Sequence, residues 1–192
     1  MRDLVYYVAA SLDGFIAGEG GSLDGFAWDE EYGADLLAEF PETFPAHLQK
    51  TERNRSDNER FDAVLMGRKT YEVGLSEGTT NPYPTLDQYL FSRTLEKSPD
   101  RHVELVSGGA EDRVAALKQD SGKDIWLCGG AELAAALWGA DLIDELIVKL
   151  NPVIFGSGVP LFAGPVEQRN LKLTESNLYN SGHAVLRYKV NR

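Results

Sequence analysis

Residues 125–137 read IWLCGGAELAAAL. The run from Asp124 to Cys128 has the aromatic and branched apolar character of a buried strand. It meets two glycines, Gly129 and Gly130, whose missing side chains permit backbone dihedrals and close approaches that other residues forbid. The stretch Ala131–Asp141 follows at once as an alanine-rich helix, easily packed against a sheet. A strand passing through a glycine turn straight into a helix is the unit of an α/β sheet. In such sheets ligands bind beyond the carboxyl ends of the strands, where helix amino termini direct free N–H groups outward.

A second turn of this kind lies upstream, in VLMGRKTYEVG, residues 64–74. FDAVLM, 61–66, reads as a strand that ends at Gly67. Thr70 is expected to cap the helix that begins there. Arg68 and Lys69 add positive charge at a point where the helix dipole already favours an anion, and a guanidinium can grip phosphate oxygens in bidentate fashion. LFSRTL, 90–95, offers Ser92 and Arg93 at the end of a further strand. Alone, each is ordinary turn chemistry or a solvated surface. Together they point to a ligand with more than one anionic group. Neither GxGxxG after the first strand nor GxxxxGK[ST] occurs, so the nucleotide fold is of another kind.

The remaining chain fills in the sheet. Leu4–Val8 carries apolar residues on both parities and reads as a strand buried on both faces, ending at the turn Asp13-Gly14. GEGGSLDGFAW, 18–28, reads equally as a lid over a site and as a plain surface loop. DEEYGADLLAEF, 29–40, has acidic residues in its first turn and apolar Leu36, Leu37 and Phe40, a short helix stopped by Pro41. Gln49–Arg60 is a polar, solvated helix or loop. DQYLFS and HVELVS are strands, DRVAALKQDSG is a helix with Val114 and Leu117 on one face and Gly122 as its stop, and LIDELIVKLNPVIFG supplies a sixth strand. The tail LKLTESNLYNSGHAVLRYKV is a hairpin around Asn180-Ser181-Gly182. The expected architecture is α/β, one layered domain over 1–192, with a mostly parallel sheet and an antiparallel edge.

With 192 residues, 19 Lys plus Arg against 30 Asp plus Glu and a net charge of -11, the chain is sized for one core. It lacks the broad basic face that nucleic acid or an anionic membrane would require. A small-molecule partner fits better. The one cysteine, Cys128, and three scattered histidines, His47, His102 and His183, argue against a disulfide framework and a metal site. The apolar segment near Met1 is too short for a signal-peptide core or a membrane span, which leaves a soluble cytoplasmic protein as the expectation.

Taken in order, AASLDGFIA (9–17), VLMGRKTYE, LFSRTL, IWLCGGAELAAAL and LIDELIVKLNPVIFGSGVPLF (142–162) resemble the dihydrofolate reductase superfamily. The branch they resemble is the one that includes the reductase domain of riboflavin biosynthesis, the RibD C-terminal domain. The resemblance implies a dihydrofolate reductase-like central mixed sheet flanked by helices, and NADPH bound across the strand ends. By the same likeness, Gly67, Arg68, Lys69 and Thr70 hold the pyrophosphate and adenosine phosphate, and Ser92 and Arg93 clamp the 2′-phosphate. Gly129, Gly130 and Ala131 form the other pyrophosphate turn, and backbone groups of Ala9 and Ile16 anchor the nicotinamide carboxamide. A homodimer is also implied.

Hydride transfer asks little of side chains beyond orientation, a dry pocket and a proton source. Asp13 either positions substrate or relays a proton, or else only shapes its turn. Trp28 is the aromatic expected to touch substrate, and Phe155 lies in PVIFGSGVPLF, which reads as a cleft wall or an oligomer contact. Trp126 and Trp138 are expected in the core. Three departures narrow the activity. Trp28 is followed by Asp29, Glu30, Glu31 and Asp35, none in the register of the folate-binding carboxylate of dihydrofolate reductases. Phe15 stands where riboflavin-pathway reductases usually carry a lysine. Cys128 takes the first place of a run that is commonly three glycines. The zinc deaminase partner of bifunctional riboflavin enzymes cannot be written with one cysteine. The expected activity is NADPH-dependent reduction of a small heterocycle or carbonyl compound. The alternatives are the riboflavin-pathway reduction of a ribosylamino-pyrimidine phosphate, dihydrofolate reduction, and a non-catalytic NADPH-binding module.

Overall fold

Alternating burial along the central strands divides the core into two layers, one on each face of a sheet. The computed structural model describes residues 1–49 and 53–191. The strands are β1 (Leu4–Ala10), β2 (Phe15–Ala17), β3 (Phe61–Gly67), β4 (Asp87–Phe91), β5 (Val103–Val106), β6 (Asp124–Gly129), β7 (Glu145–Leu150), β8 (Val159–Pro160), β9 (Leu171–Leu178) and β10 (Ala184–Val190). The helices are α1 (Glu30–Glu39), α2 (Arg68–Ser76), α3 (Ala110–Gln119) and α4 (Ala131–Gly139). Eight strands form one sheet in the order β5-β4-β3-β6-β1-β7-β10-β9. From β5 to β7 every neighbouring pair is parallel, and β10 and β9 add antiparallel pairings. This is the mostly parallel α/β sheet with an antiparallel edge expected from the sequence.

On one face Leu4, Tyr6 and Val8 pack with Val114 and Leu117 of α3 and Leu133, Ala134, Leu137 and Trp138 of α4. On the other, Val5 and Tyr7 pack with Tyr32, Leu36 and Phe40 at α1 and Tyr71 of α2. Burial on both faces explains why the parallel strands read as continuous apolar runs. Trp126 donates its indole N–H to the Tyr7 carbonyl at 2.9 Å, and Trp138 donates to that of Glu167 at 2.8 Å, so both rings are core residues with satisfied polar ends.

Local chemistry explains the boundaries. Asp29 caps α1 by accepting the Tyr32 N–H at 3.0 Å. Leu36 and Phe40, four residues apart, are buried, whereas Leu37 is 45 % exposed, because three apolar positions cannot all share one narrow helical stripe. Of the polar stretch 49–60, residues 50–52 lie outside the described residues. The rest contains a 3-10 turn at Arg55–Asp57 and is anchored by the buried Glu42 carboxylate, which accepts the N–H groups of Glu59, Arg60 and Phe61 at 3.1, 2.9 and 2.6 Å. The hairpin turn falls at Asn180–Gly182, with Gly182 at φ 88°. The sixth apolar run is strand only over Glu145–Leu150. Two short elements were not foreseen: β2 pairs antiparallel with β8 in a separate two-stranded ribbon. That ribbon joins the AASLDGFIA turn to the PVIFGSGVPLF segment.

Candidate functional site

The carboxyl ends of β3 and β6 bring the two glycine turns together. A Cβ built on Gly67 would stand 3.1 Å from the backbone nitrogen of Gly130 and 3.6 Å from the carbonyl oxygen of Gly129. Gly129 adopts φ 145°, a region that favours glycine, and the Gly129–Gly130 peptide is cis. Gly67 and Gly130 are the N-cap residues of α2 and α4, and neither end has a side-chain cap. The first N–H groups of both helices are therefore not capped by side chains at neighbouring points of one sheet edge. Thr70 does not cap α2, because the helix already begins at Arg68. Its hydroxyl instead lies beneath the other turn, 3.2 Å and 3.4 Å from Cβ positions built on Gly129 and Gly130. Ala131 is buried in the first turn of α4, and its carbonyl accepts the Ala163 N–H at 3.1 Å.

The cations surround these turns. Arg68 donates Nε–H to Glu72 at 2.7 Å and Nη1–H to the Thr94 hydroxyl at 2.8 Å, which aims it from α2 toward the turn after β4. Lys69 is exposed beside it. The buried Ser92 hydroxyl accepts the N–H groups of Thr94 and Leu95 at 3.3 and 3.2 Å, folding that turn. Arg93 has its side chain 86 % exposed, 3.9 Å from Glu132 in the first turn of α4. Gly67–Thr70, Ser92–Arg93 and Gly129–Ala131 thus lie on adjacent strand ends.

At the end of β1, Ala9 is part-exposed and pairs in register with Lys149 of β7, while Ile16 on β2 packs against the core layer of α3 and α4. Asp13 accepts the Ser11 hydroxyl at 2.6 Å and the backbone N–H groups of Phe155 and Gly156 at 3.1 and 2.7 Å. The Ser11 hydroxyl holds its carboxyl below the usual range; burial opposes it, and the Gly156 and Phe155 amides add smaller contributions in the same direction as Ser11. The Phe155 ring lies 5.1 Å from that of Phe26 and fills the space over Gly25, where an added Cβ would come within 2.2 Å of it. Trp28 is 59 % exposed, with its indole against Gly33 and edge-on to Phe44 at 5.6 Å. Phe155, against Gly25 and Phe26, and Trp28 both lie at the carboxyl end of the glycine-rich loop, and among the described residues no ring contact joins them. An open cleft of about 490 Å³ lies between Gly18, Glu19, Ser22, Gly25, Phe155 and Ser157, and neither glycine turn lines it.

Sequence reasoning missed the residues between these turns and α1. His183, buried, stacks on Tyr32 with ring centroids 4.5 Å apart. Its Nε2 lies 3.1 Å from the Ala27 carbonyl and its Nδ1 2.9 Å from the Ser181 hydroxyl, an arrangement that fits Nε2–H donating and Nδ1 accepting. Lys149 places Nζ 3.9 Å from the centre of the Tyr7 ring. Burial lowers its pKa to about 8, and the neighbouring Cys128 opposes that shift. Cys128 itself is pushed up to about 11, chiefly by burial. The parity of ELIVKL was the available signal, since it puts Lys149 on the same face as the buried Ile147.

The family profile of the RibD C-terminal domain matches residues 2–185. The chain belongs to the RibD C-terminal domain family. A relative in that range is the uncharacterized protein YwjB of Bacillus subtilis, 36 % identical over 172 residues, which cover 90 % of this chain and 89 % of YwjB. Among solved structures, a putative riboflavin biosynthesis protein from Shewanella sp. PV-4 superposes with a TM-score of 0.72 at 25 % identity, covering 100 % of both chains. Dihydrofolate reductase from Enterococcus faecalis, solved with NADP(H) and RAB-propyl, gives 0.65 at 16 % identity over 99 % of this chain and 97 % of its own, which shows the shared fold. Membership of the RibD C-terminal domain family supports a reductase role. Among the described residues no group of three or more His, Cys, Asp or Glu is placed to hold a metal ion, and no helix is long and apolar enough to cross a membrane.

Proposed function

We propose that the protein is an NADPH-dependent reductase of a small heterocyclic or carbonyl compound. The observation that carries this reading is the apposition of the two uncapped helix starts at Gly67 and Gly130. Their backbones approach so closely that a Cβ on Gly67 would crowd the Gly130 nitrogen at 3.1 Å, and the amide groups of the two turns would cradle a pyrophosphate. Arg68, Lys69 and Arg93 would add the charge that an extra phosphate needs, and the Ala9 and Ile16 backbones would orient the nicotinamide. When bound, the dinucleotide supplies the hydride. The residues of this chain bind it, orient it and exclude water.

A titration of the purified protein with NADPH and with NADH, followed by tryptophan quenching, tests this. NADPH-preferring binding is expected, and folded protein that binds neither nucleotide overturns the reading.

The same reading includes a homodimer. Strand β9 pairs only with β10 among the described residues and exposes Leu171, Leu173 and Leu178 along a sheet edge, a surface suited to a second copy of the chain. Light scattering of wild type and Leu173→Lys tests it: a dimer that the substitution dissociates is expected, and a wild-type monomer overturns it.

A further inference from the structure

Three neighbouring strand ends leave an opening on the α1 face of the sheet. Strands β6, β1 and β7 are consecutive there, and their residues on this face, Trp126, Tyr7 and Ile147, are buried. Two positions further along each strand, Cys128, Ala9 and Lys149 are all part-exposed. On the far side of Lys149 its partner Val185 on β10 is again buried, as is His183 just before that strand. The opening is therefore bounded, and the Lys149 ammonium is held there over the Tyr7 ring. Among the described residues no carboxylate pairs with Lys149. Of the acidic groups of α1 and its cap, Asp35 accepts the Tyr179 hydroxyl at 3.0 Å, Glu39 pairs with Arg187, Asp29 caps the helix, and Glu30 and Glu31 are exposed on its surface. Gly33 of α1, packed under Trp28, brings no charge.

A partly buried ammonium without a counter-ion is costly unless something else meets it. We propose that Lys149 is the residue that meets the substrate beside the nicotinamide, binding an electron-rich oxygen of an anionic or carbonyl substrate and giving it a proton as hydride is delivered. This rests on the reductase reading and specifies its substrate class. In the step itself, the carbon of a C=O group receives hydride from the reduced nicotinamide, and the C=O π pair moves onto oxygen. The Lys149 ammonium supplies the proton that completes the O–H bond and is left as an amine, which regains its proton from water. A pKa lowered to about 8 suits that exchange near neutrality. The neighbouring titratable groups are Cys128 on β6 and Tyr7 on β1, both with pKa values raised chiefly by burial and thus neutral at that pH.

The test needs no substrate. NADP+ and NADPH carry the same phosphates but differ by one positive charge on the nicotinamide, so an ammonium at this position penalises only the oxidised form. Lys149→Met is expected to tighten NADP+ by about 3- to 30-fold while leaving NADPH nearly unchanged. Lys149→Arg, which keeps the charge, should retain the wild-type ratio. Binding of both nucleotides with the same ratio in wild type and Lys149→Met overturns the role of Lys149 alone, whereas failure of wild type to bind either nucleotide overturns the reductase reading and this inference with it. As a probe of substrate charge, the NADPH complex should bind benzoate in preference to benzamidine, its cationic counterpart in shape. Benzamidine binding as well or better overturns the proposed substrate class.

Discussion

Gly67 stands so near Gly130 that a Cβ on the first would lie 3.1 Å from the backbone nitrogen of the second. Its φ of -69° and ψ of 161° suit any residue, so conformational strain plays no part in a substitution there. Gly67→Ala should therefore act through the contact alone, spreading the two turns by a few tenths of an ångström. The expected result is a loss of NADPH affinity of about tenfold with about 1 kcal/mol of stability, and Gly67→Val should be worse on both counts. An unchanged nucleotide affinity in folded Gly67→Ala would mean that the turns do not act together.

Arg68 reaches from α2 to Thr94, across the strand end that carries Ser92 and Arg93. Its replacement by alanine should weaken NADPH by about 1.5–3 kcal/mol, the scale of a lost charged hydrogen bond. NADH should lose less if the guanidinium meets the 2′-phosphate. Calorimetric titration of both nucleotides reads the difference, and equal losses would assign Arg68 to the pyrophosphate.

Asp13 has its carboxylate occupied by Ser11 and two backbone amides, so Asp13→Ala should release the Phe155–Gly156 segment. Faster amide exchange at Phe155 and Gly156, with little change in global unfolding, is the expected outcome. The pH dependence follows from its lowered pKa: the anchoring is fully present above the ordinary value of 3.8 and is lost as pH falls through the folded value below it. A variant with intact protection at both amides would show that the loop is held by β2 and β8 alone.

Lys149→Met should stabilise the fold while impairing the chemistry proposed for it. The ordinary pKa of 10.5 falls to about 8 in the folded chain, so unfolding takes up a proton between these values and wild-type stability rises with pH there. The burial cost is fully present below pH 8, and removing the charge should add on the order of 1–2 kcal/mol at pH 7. Cys128, raised from 9.0 to about 11, works in the opposite direction above pH 9. Denaturant unfolding at pH 7, 8 and 9 isolates the lysine, and the upward slope seen in wild type should be missing from the variant.

The parallel strands were legible because burial on both faces leaves an unbroken apolar run, and the strand-to-helix turns were legible because glycines interrupt it. The hairpin announced itself in Asn180-Ser181-Gly182. The β2–β8 ribbon was hidden because its three- and two-residue strands are too short to show a period and are joined by a pairing across more than 140 residues. Thr70 misled because a threonine near a helix start usually caps it, whereas here its hydroxyl supports a turn on another strand. Lys149 was overlooked because a charged residue near a strand end reads as solvated; the parity it shares with Ile147 hinted otherwise, and the packing of Tyr7 and Cys128 around it shows it.

The ribbon also ties two distant stretches of chain into one mechanical piece. Leu12 donates to Val153, Leu161 to Gly14, and Phe155 and Gly156 to Asp13, in addition to the pairing of β2 with β8. Any motion that parted residues 11–17 from 153–161 would have to break all of these at once. The two segments therefore make a single tied plate, and Ile16, Leu161 and Phe162 rivet it to the core layer beneath α3 and α4.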